Sequence, residues 1–258
     1  METGAVYDLA FSLGQACACT QTLRTARLQF ASFPFDWISK GSLSDRVQLL
    51  IRRFEGWLEK EDFVYNGTNP INGLGMFMNR RTGLKHMHDF ADGPIEASYA
   101  EVIAKYARRE KRLFDLIEKS RRVLILYIDS FRGGGVLAPS LEDFVKARAD
   151  MSKAFPGVSF DFVHFIVARD LPFERRVVAH PADGVTEIRF DYHDDVRDVC
   201  CEDTARALVS LGIKVRDYRT CAERKAHELK KKMKKYGVNT RLELFFARLL
   251  PCNRKGKK

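Results

Sequence analysis

The chain contains no run of about 18 apolar residues, so no segment is long enough to cross a bilayer as a helix. Its first residues, Met1-Glu2-Thr3-Gly4, lack the positively charged start and apolar stretch of a secretory leader. These two absences predict a soluble, cytoplasmic protein. Cysteine is sparse, with six residues at 17, 19, 200, 201, 221 and 252, and none shows the CxxC spacing of a zinc site. Clustered toward the two ends of a chain without an export signal, they read as thiols rather than as a disulfide framework. No Pro/Gly/Ser-rich linker divides the sequence. The glycines at 133–135 are not followed by the Lys-Ser/Thr of a phosphate loop, and no RNA-recognition signature or Cys/His finger is present.

Positive charge is what the sequence has in excess: 44 Lys and Arg against 34 Asp and Glu give a net charge of +10. Much of it sits near the C-terminus, in Lys230-Lys231-Lys232-Met233-Lys234-Lys235 and Lys255-Gly256-Lys257-Lys258. The excess is therefore a property of a tail. It reads as a solvated helix face and chain end that could touch an anionic surface peripherally, and no nucleic-acid partner is expected. With 45% hydrophobic residues there is enough apolar material for a full core. The expected division is a single α/β catalytic domain over 1–237 and a basic extension over 238–258.

Hydrophobic patterning gives the fold class. Val6 to Leu13 reads as a short buried strand, and Gly14 turns it into a helical segment from Gln15 to Leu28. Ser32 to Trp37 is an aromatic loop, Leu43 to Leu58 has helical spacing, and Asn66 to Phe90, rich in Asn and Gly, reads as a loop with short strands at most. Ile95 to Ile117 is the clearest helix, its stripe of Tyr99, Val102, Tyr106, Leu113 and Leu116 broken by Arg109. Val123 to Ile128 and Phe160 to Ala168 are apolar runs of the kind buried on both faces, with a helix from Leu141 to Phe155 between them. That is a β-α-β unit with parallel strands. Thr186 to Tyr192 alternates like a strand with one wet face, and Cys201 to Leu211 and Cys221 to Tyr236 complete the helices. The prediction is an α/β fold, a mixed or parallel sheet flanked by helices. The loop from Asp129 to Gly135 follows a parallel-type strand, and we read it as a plain loop.

A thiol becomes a useful nucleophile where a helix N-terminus presents unpaired amides and a partial positive charge to it. Cys17 sits in the first turn after Gly14, and Cys19, about 200° further round the helix, points to the opposite side with Leu23 and Ala26. One cysteine packs and the other can face a cleft. The partner such a nucleophile needs is usually a histidine, oriented by a third polar group. Of six histidines, His164 lies in an apolar strand and His227 in the basic helix, while His180 and His193 have no supporting context. His86 and His88, within Lys85-His86-Met87-His88-Asp89-Phe90, have a carboxylate alongside.

Four short elements in order, Ser12-Leu13-Gly14 leading to Cys17, Pro34-Phe35-Asp36-Trp37, His88-Asp89-Phe90, and Tyr106 with Arg108-Arg109 and Arg112, resemble those of a bacterial family. It is a family of unknown function described as putative papain-like cysteine peptidases. The likeness runs from about Tyr7 to Asp129 and rests on the combination and order of the motifs. It implies a papain-like site with Cys17 as nucleophile at a helix N-terminus and His88, rather than His86, as general base. Members resembling this chain are associated with surface-polysaccharide genes, which suits acyl transfer to a glycan as well as peptide cleavage. The substrate is thus a peptide, an acyl group or a glycan, and no cofactor or metal is expected.

The orienting carboxylate is Asp36 or Asp89. Neighbouring side chains of an extended segment point apart, so Asp89 would hold His88 poorly and Asp36 is favoured. Trp37 and Asp89 support the site. Arg109, a guanidinium on an apolar stripe, needs a carboxylate, with Asp36 and Asp89 the candidates. The backbone amide of Cys17 with a second donor such as Gln15 would form an oxyanion hole. Two other readings stand beside this one. A metal site could use His86, His88 and Asp89 or Asp194, since residues two apart on a strand share a face. A non-catalytic protein could dock through its basic C-terminal helix.

Overall fold

The structure is a computed structural model, described here over residues 4–14, 17–128, 138–167, 177–190 and 201–236. Contacts group the chain into two compact units, Met1–Arg216 and Asp217–Lys258. In the first, β1 (Val6–Tyr7) and β2 (Leu9–Ser12) form one strand interrupted at Asp8, followed by α1 (Cys17–Thr25). Next come a 3-10 turn at Pro34–Trp37, β3 (Ile38–Ser39), α2 (Leu43–Ile51), β4 (Phe63–Thr68), β5 (Gly75–Asn79) and β6 (Lys85–Phe90). The chain continues through α3 (Tyr99–Ile117), β7 (Arg122–Ile128), α4 (Leu141–Ala154), β8 (Ser159–Val167), β9 (Val177–Ala182), β10 (Val185–Phe190), α5 (Cys201–Ser210) and β11 (Lys214–Val215). The second unit contains α6 (Cys221–Tyr236). The expected extension over 238–258 lies outside the described residues.

The main sheet has the order β2-β7-β8-β10-β9, with β2, β7, β8 and β10 mutually parallel and β9 antiparallel to β10. β7 and β8 are the strands of the expected β-α-β unit. The first strand carries a neighbour on its other edge as well: Tyr7 O accepts from Arg216 N at 2.9 Å, while Asp8 N donates to Arg122 O at 2.9 Å. Through β1, β11 pairs in parallel there. The chain therefore winds outward from β2 to β10 and then returns, by way of α5, to the far side of its first strand. A crevice opens at the carboxyl end of the strand where winding reverses, and open α/β sheets bind ligands there. Here that strand is β2, and Cys17 follows it.

Both faces of β7 are covered, which is why Val123 to Ile128 is uninterrupted apolar sequence. On one face Leu124, Leu126 and Ile128 pack with Cys19 and Leu23 of α1 and Ala207 and Leu208 of α5. On the other, Tyr127 meets Phe144 of α4 at a centroid distance of 5.6 Å, and Phe144 meets Phe162 at 5.5 Å. The two helices on the first face are joined by a 2.6 Å hydrogen bond between the buried Thr22 and Thr204 hydroxyls.

Two stretches differ from expectation. The helix expected over Leu43–Leu58 ends at Ile51, and Arg53 and Phe54 take positive φ values of 53° and 61°. That turn delivers Phe54 and Trp57 into an aromatic cluster with Phe35, at 5.1 and 6.5 Å. Asn66 to Phe90 belongs instead to a second, antiparallel sheet of order β3-β6-β5-β4. Its Asn and Gly residues make tight turns, with Gly73 at φ 68° and Gly83 at φ 66°. Among the cysteines, Cys221 is disulfide-bonded, so the reading of all six as thiols fails at that position. No helix among the described residues is long and apolar enough to cross a membrane.

Candidate active site

Cys17 is the first residue of α1 and is partly exposed, whereas Cys19 is buried, as the helical geometry required. Burial pushes the Cys19 thiol up to about 12, making it a packing residue. Gly14 has a steric reason to be glycine: a Cβ there would run into Cys19 Sγ and come within 3.3 Å of Ile128 N. The Ser12-Leu13-Gly14 motif thus lets the chain pass close over the end of β7 before α1 begins. Gln15, the expected second oxyanion donor, lies outside the described residues.

The Pro34–Trp37 turn packs against β2, α1, α3 and β6, so it is the hub that brings the four motifs into one region. Proline fits its first position, where no amide hydrogen is needed. Asp36 is fully buried, and its Oδ2 accepts from Phe33 N at 2.9 Å, Gln29 Nε2 at 2.9 Å and Arg24 Nη2 at 3.4 Å. Burial raises its carboxyl above the usual range, against the opposing pull of those donors. Among the described residues its Oδ1 has no hydrogen-bond partner. Trp37 carries the Arg24 guanidinium over its ring at 5.5 Å and meets the His88 ring edge-on at 5.9 Å. A single indole therefore touches side chains from both the cysteine helix and the histidine strand.

The two neighbouring histidines do not share a face. A bulge separates them: Met87, His88 and Asp89 stand between His86 and Phe90 where β5 has Met76 alone between Phe77 and Gly75. His86 is fully buried among Trp57, Phe63, Phe90 and Tyr106, and His88 is exposed. The premise of a metal site on His86 and His88 fails for this reason. The bulge also turns Asp89 toward His86, whose Nδ1 lies 3.1 Å from Oδ2. The same carboxylate accepts from Tyr106 Oη at 2.6 Å and Lys105 Nζ at 2.7 Å. Burial alone would raise the Asp89 carboxyl, but these partners, His86 first, hold it well below the usual carboxylate range. Asp89 is ionised and His86 donates from Nδ1, leaving His86 Nε2 buried without a hydrogen-bond partner among the described residues.

His88 is held by Asn72, whose Nδ2 lies 2.9 Å from His88 Nδ1. The Asn72 amide oxygen accepts from Leu74 N at 3.0 Å, and its nitrogen also donates to Met87 O at 3.3 Å. In this state Nδ1 is an acceptor, so neutral His88 carries its hydrogen on Nε2. The hydrogen bonds of Asp36 go to residues 24, 29 and 33, and those of Asp89 to 86, 105 and 106. Neither expected carboxylate is bonded to His88.

On α3, Tyr106 is buried, and its hydroxyl ties the helix to Asp89. Arg112 Nη1 donates to Ser32 O at 3.1 Å, clamping the loop before the 3-10 turn, and Arg108 is exposed. Arg109 lies over the Tyr106 ring at 5.3 Å, and among the described residues its buried Nη1 has no hydrogen-bond partner. The carboxylate expected for it is supplied by neither Asp36 nor Asp89.

Residues 8–132 match the family described as putative papain-like cysteine peptidase. Over that span, just under half of its length, the chain is similar to this family. No curated protein matches it. Within the matched span the four motifs, far apart in sequence, meet around one 3-10 turn, which accounts for their occurring together. Asn72 is the residue that sequence reasoning missed. It sits in an Asn-Pro-Ile-Asn-Gly turn whose composition announces a turn and nothing of its contact with His88.

Proposed function

We propose that the protein is a cysteine-dependent acyl-transfer enzyme, a hydrolase or an acyltransferase, with Cys17 as nucleophile and His88 as its acid and base. The reading is carried by one observation: Cys17 opens a helix directly after the strand at which the sheet reverses its winding, beside the turn whose Trp37 touches His88. A thiolate is favoured at such an N-terminus.

In the working state His88 holds its proton on Nδ1 and presents Nε2 to the substrate. A half-turn of the Asn72 amide would let its oxygen accept from Nδ1–H, a Cys-His-Asn arrangement suited to this chemistry. The thiolate attacks the acyl carbon, a C–S bond forms, and the bond to the leaving group breaks as protonated His88 gives that group its proton. Water or an alcohol then attacks the thioester while His88 takes its proton, and the acid or ester departs with the Cys17 thiolate restored. With an alcohol as acceptor, a glycan hydroxyl is a natural one, linking the protein to surface polysaccharide. Asp36 and Asp89 hold the frame, Asp36 through the turn and Asp89 through the bulge that turns His88 outward.

The test is capture of the intermediate. Incubation with an activated aryl ester should add one acyl group to the protein, mapped to Cys17 by mass spectrometry and absent in Cys17→Ser. Acylation spread evenly over several thiols, or persisting in Cys17→Ser, would overturn the reading.

A further inference from the structure

Two arginines from different helices meet at one serine beside the site. Ser32 Oγ accepts from Arg24 Nη2 of α1 at 2.8 Å, and Ser32 O accepts from Arg112 Nη1 of α3 at 3.1 Å. Neither bond neutralises a charge. Among the described residues Arg112 meets no carboxylate, and Arg24 reaches one only at 3.4 Å, on the Asp36 oxygen that two closer donors already fill. Were Arg24 present to pair with Asp36, the other oxygen, Oδ1, would be its natural seat, and that oxygen has no hydrogen-bond partner among the described residues. Arg24 Nε and Nη1, Arg112 Nε and Nη2, and the Ser32 hydroxyl hydrogen likewise go to no acceptor among the described residues. Two like charges gathered at one residue repel, so their placement calls for a reason.

The pair is open to a ligand and close to the chemistry. The Arg24 side chain is 38% exposed and Arg112 is half-buried. Arg24 is held flat, its guanidinium 5.5 Å over the Trp37 ring, and the same indole meets the His88 ring at 5.9 Å. One aromatic ring thus separates this cation from the histidine. Arg24 also follows Cys17 by seven residues, which puts both on one face of α1 about 10 Å apart along its axis, with helical side chains leaning back toward the N-terminus. Arg46 of α2 differs: it is fully buried, its Nη2 donates to Ile38 O at 3.1 Å and Lys40 O at 2.5 Å, and it meets no carboxylate among the described residues. That cation belongs to the interior, where no ligand reaches it.

We propose that Arg24, Arg112 and Ser32 form a subsite for a phosphoryl group of the substrate. The inference rests on the reading of Cys17 and His88 as the reacting pair and adds the substrate class: an acyl donor whose leaving group carries a phosphate monoester. His88 gives its proton to the leaving group, so an anion held one ring away from His88 belongs to that part of the substrate. A phosphate monoester carries about two negative charges at neutral pH and presents its outer oxygens in several directions. Two guanidiniums arriving from two helices, with a hydroxyl between them, match that charge and that shape. A carboxylate would balance one of the two cations and leave the other unpaired.

Two measurements on the full chain test this. In equilibrium dialysis at about 0.15 M salt, inorganic phosphate should bind saturably to wild type, about tenfold more weakly to Arg24→Gln and to Arg112→Gln, and acetate should compete at least about tenfold less well than phosphate. Binding that does not saturate, or that is equal in wild type and both folded variants, assigns the phosphate to other basic groups of the chain and overturns the subsite. Acetate competing as well as phosphate overturns the phosphoryl assignment. In the second measurement, Cys17 is acylated with 4-acetoxyphenyl phosphate and with phenyl acetate, each rate divided by that of a small free thiol. The phosphorylated ester should be favoured about tenfold, and the preference should shrink toward one in both variants. If the glutamine variants do not fold, wild type decides: inorganic phosphate should raise the KM for the phosphorylated ester without lowering its kcat, and an absence of inhibition overturns the proposal. Acylation of Cys17 with no preference between the esters overturns the substrate class and leaves Cys17 the nucleophile. No acylation of Cys17 by either ester removes the nucleophile, and the leaving-group assignment with it.

Discussion

His86 and Asp89, three residues apart on one strand, are hydrogen-bonded at 3.1 Å, while the histidine adjacent to Asp89 points to solvent. The bulge in β6 produces both results at once, since an extra pair of residues breaks the two-residue alternation of side chains. A buried carboxylate and a candidate catalytic histidine thus come from neighbouring positions with separate duties.

Removing the Asp89 carboxylate should destabilise the protein without touching the chemistry directly. It would leave His86, Tyr106 and the partly buried Lys105 without their acceptor, and breaking such a buried set costs about 3 kcal/mol. Chemical denaturation of Asp89→Ala measures this. The sign with pH follows from the direction of the shift. The Asp89 carboxyl is held below its unfolded value, so its contribution is complete above about pH 4 and declines as the solution is acidified below that. Wild type should lose stability in that acid range more steeply than Asp89→Asn.

The two histidines should separate in their effects. His88→Ala should slow acylation of Cys17 about a hundredfold with the unfolding midpoint nearly unchanged, because the side chain is exposed. Asn72→Ala should cost about tenfold, and Asn72→Asp should move the pH optimum, since a carboxylate can accept from Nδ1–H but cannot donate to Nδ1. His86→Ala should do the reverse of His88→Ala, lowering stability through loss of a fully buried ring. Single-turnover acylation combined with thermal unfolding distinguishes the three.

Asp36 offers a direct check on the orienting group. Because burial raises its carboxyl, the ionised form is disfavoured in the fold. The stability it contributes is complete below the unfolded carboxyl value and is lost as pH rises through the raised one. Asp36→Asn keeps an oxygen for Phe33 N and Gln29, so stability at neutral pH should change by less than about 1 kcal/mol and Cys17 reactivity by less than about threefold. A loss of activity of a hundredfold or more in Asp36→Asn would make it the orienting carboxylate after all.

Gly14→Ala should cost about 2 kcal/mol, since its new methyl would occupy the volume of Cys19 Sγ. Cys19→Ala in the same chain should recover part of that loss. Comparing denaturation midpoints of the two single variants with the double variant gives the coupling between the sites.

The parallel sheet was legible in the sequence because Val123 to Ile128 is apolar without interruption and Phe160 to Val167 is apolar except at Asp161 and His164, a pattern that suits a strand covered on both faces. Cys17 could be separated from Cys19 for a similar reason, as helical geometry is local. The antiparallel sheet over 63–90 was not legible: its strands are short and rich in Asn and Gly, and their pairing is non-local. Arg109 was recognised as a guanidinium on an apolar stripe, but its position over Tyr106 rather than against a carboxylate depends on how α3 meets the turn.

By itself the sequence determined the α/β class, the helix N-terminus that carries Cys17, and the set of motifs shared with the papain-like family, all properties of local pattern and residue order. Tertiary structure alone decided which polar group serves which: Asp89 for His86, Asn72 for His88, and, among the described residues, no carboxylate for Arg46. Those assignments hang on a two-residue excess in one strand and on the burial of a helix face, and neither leaves a periodic trace in the chain.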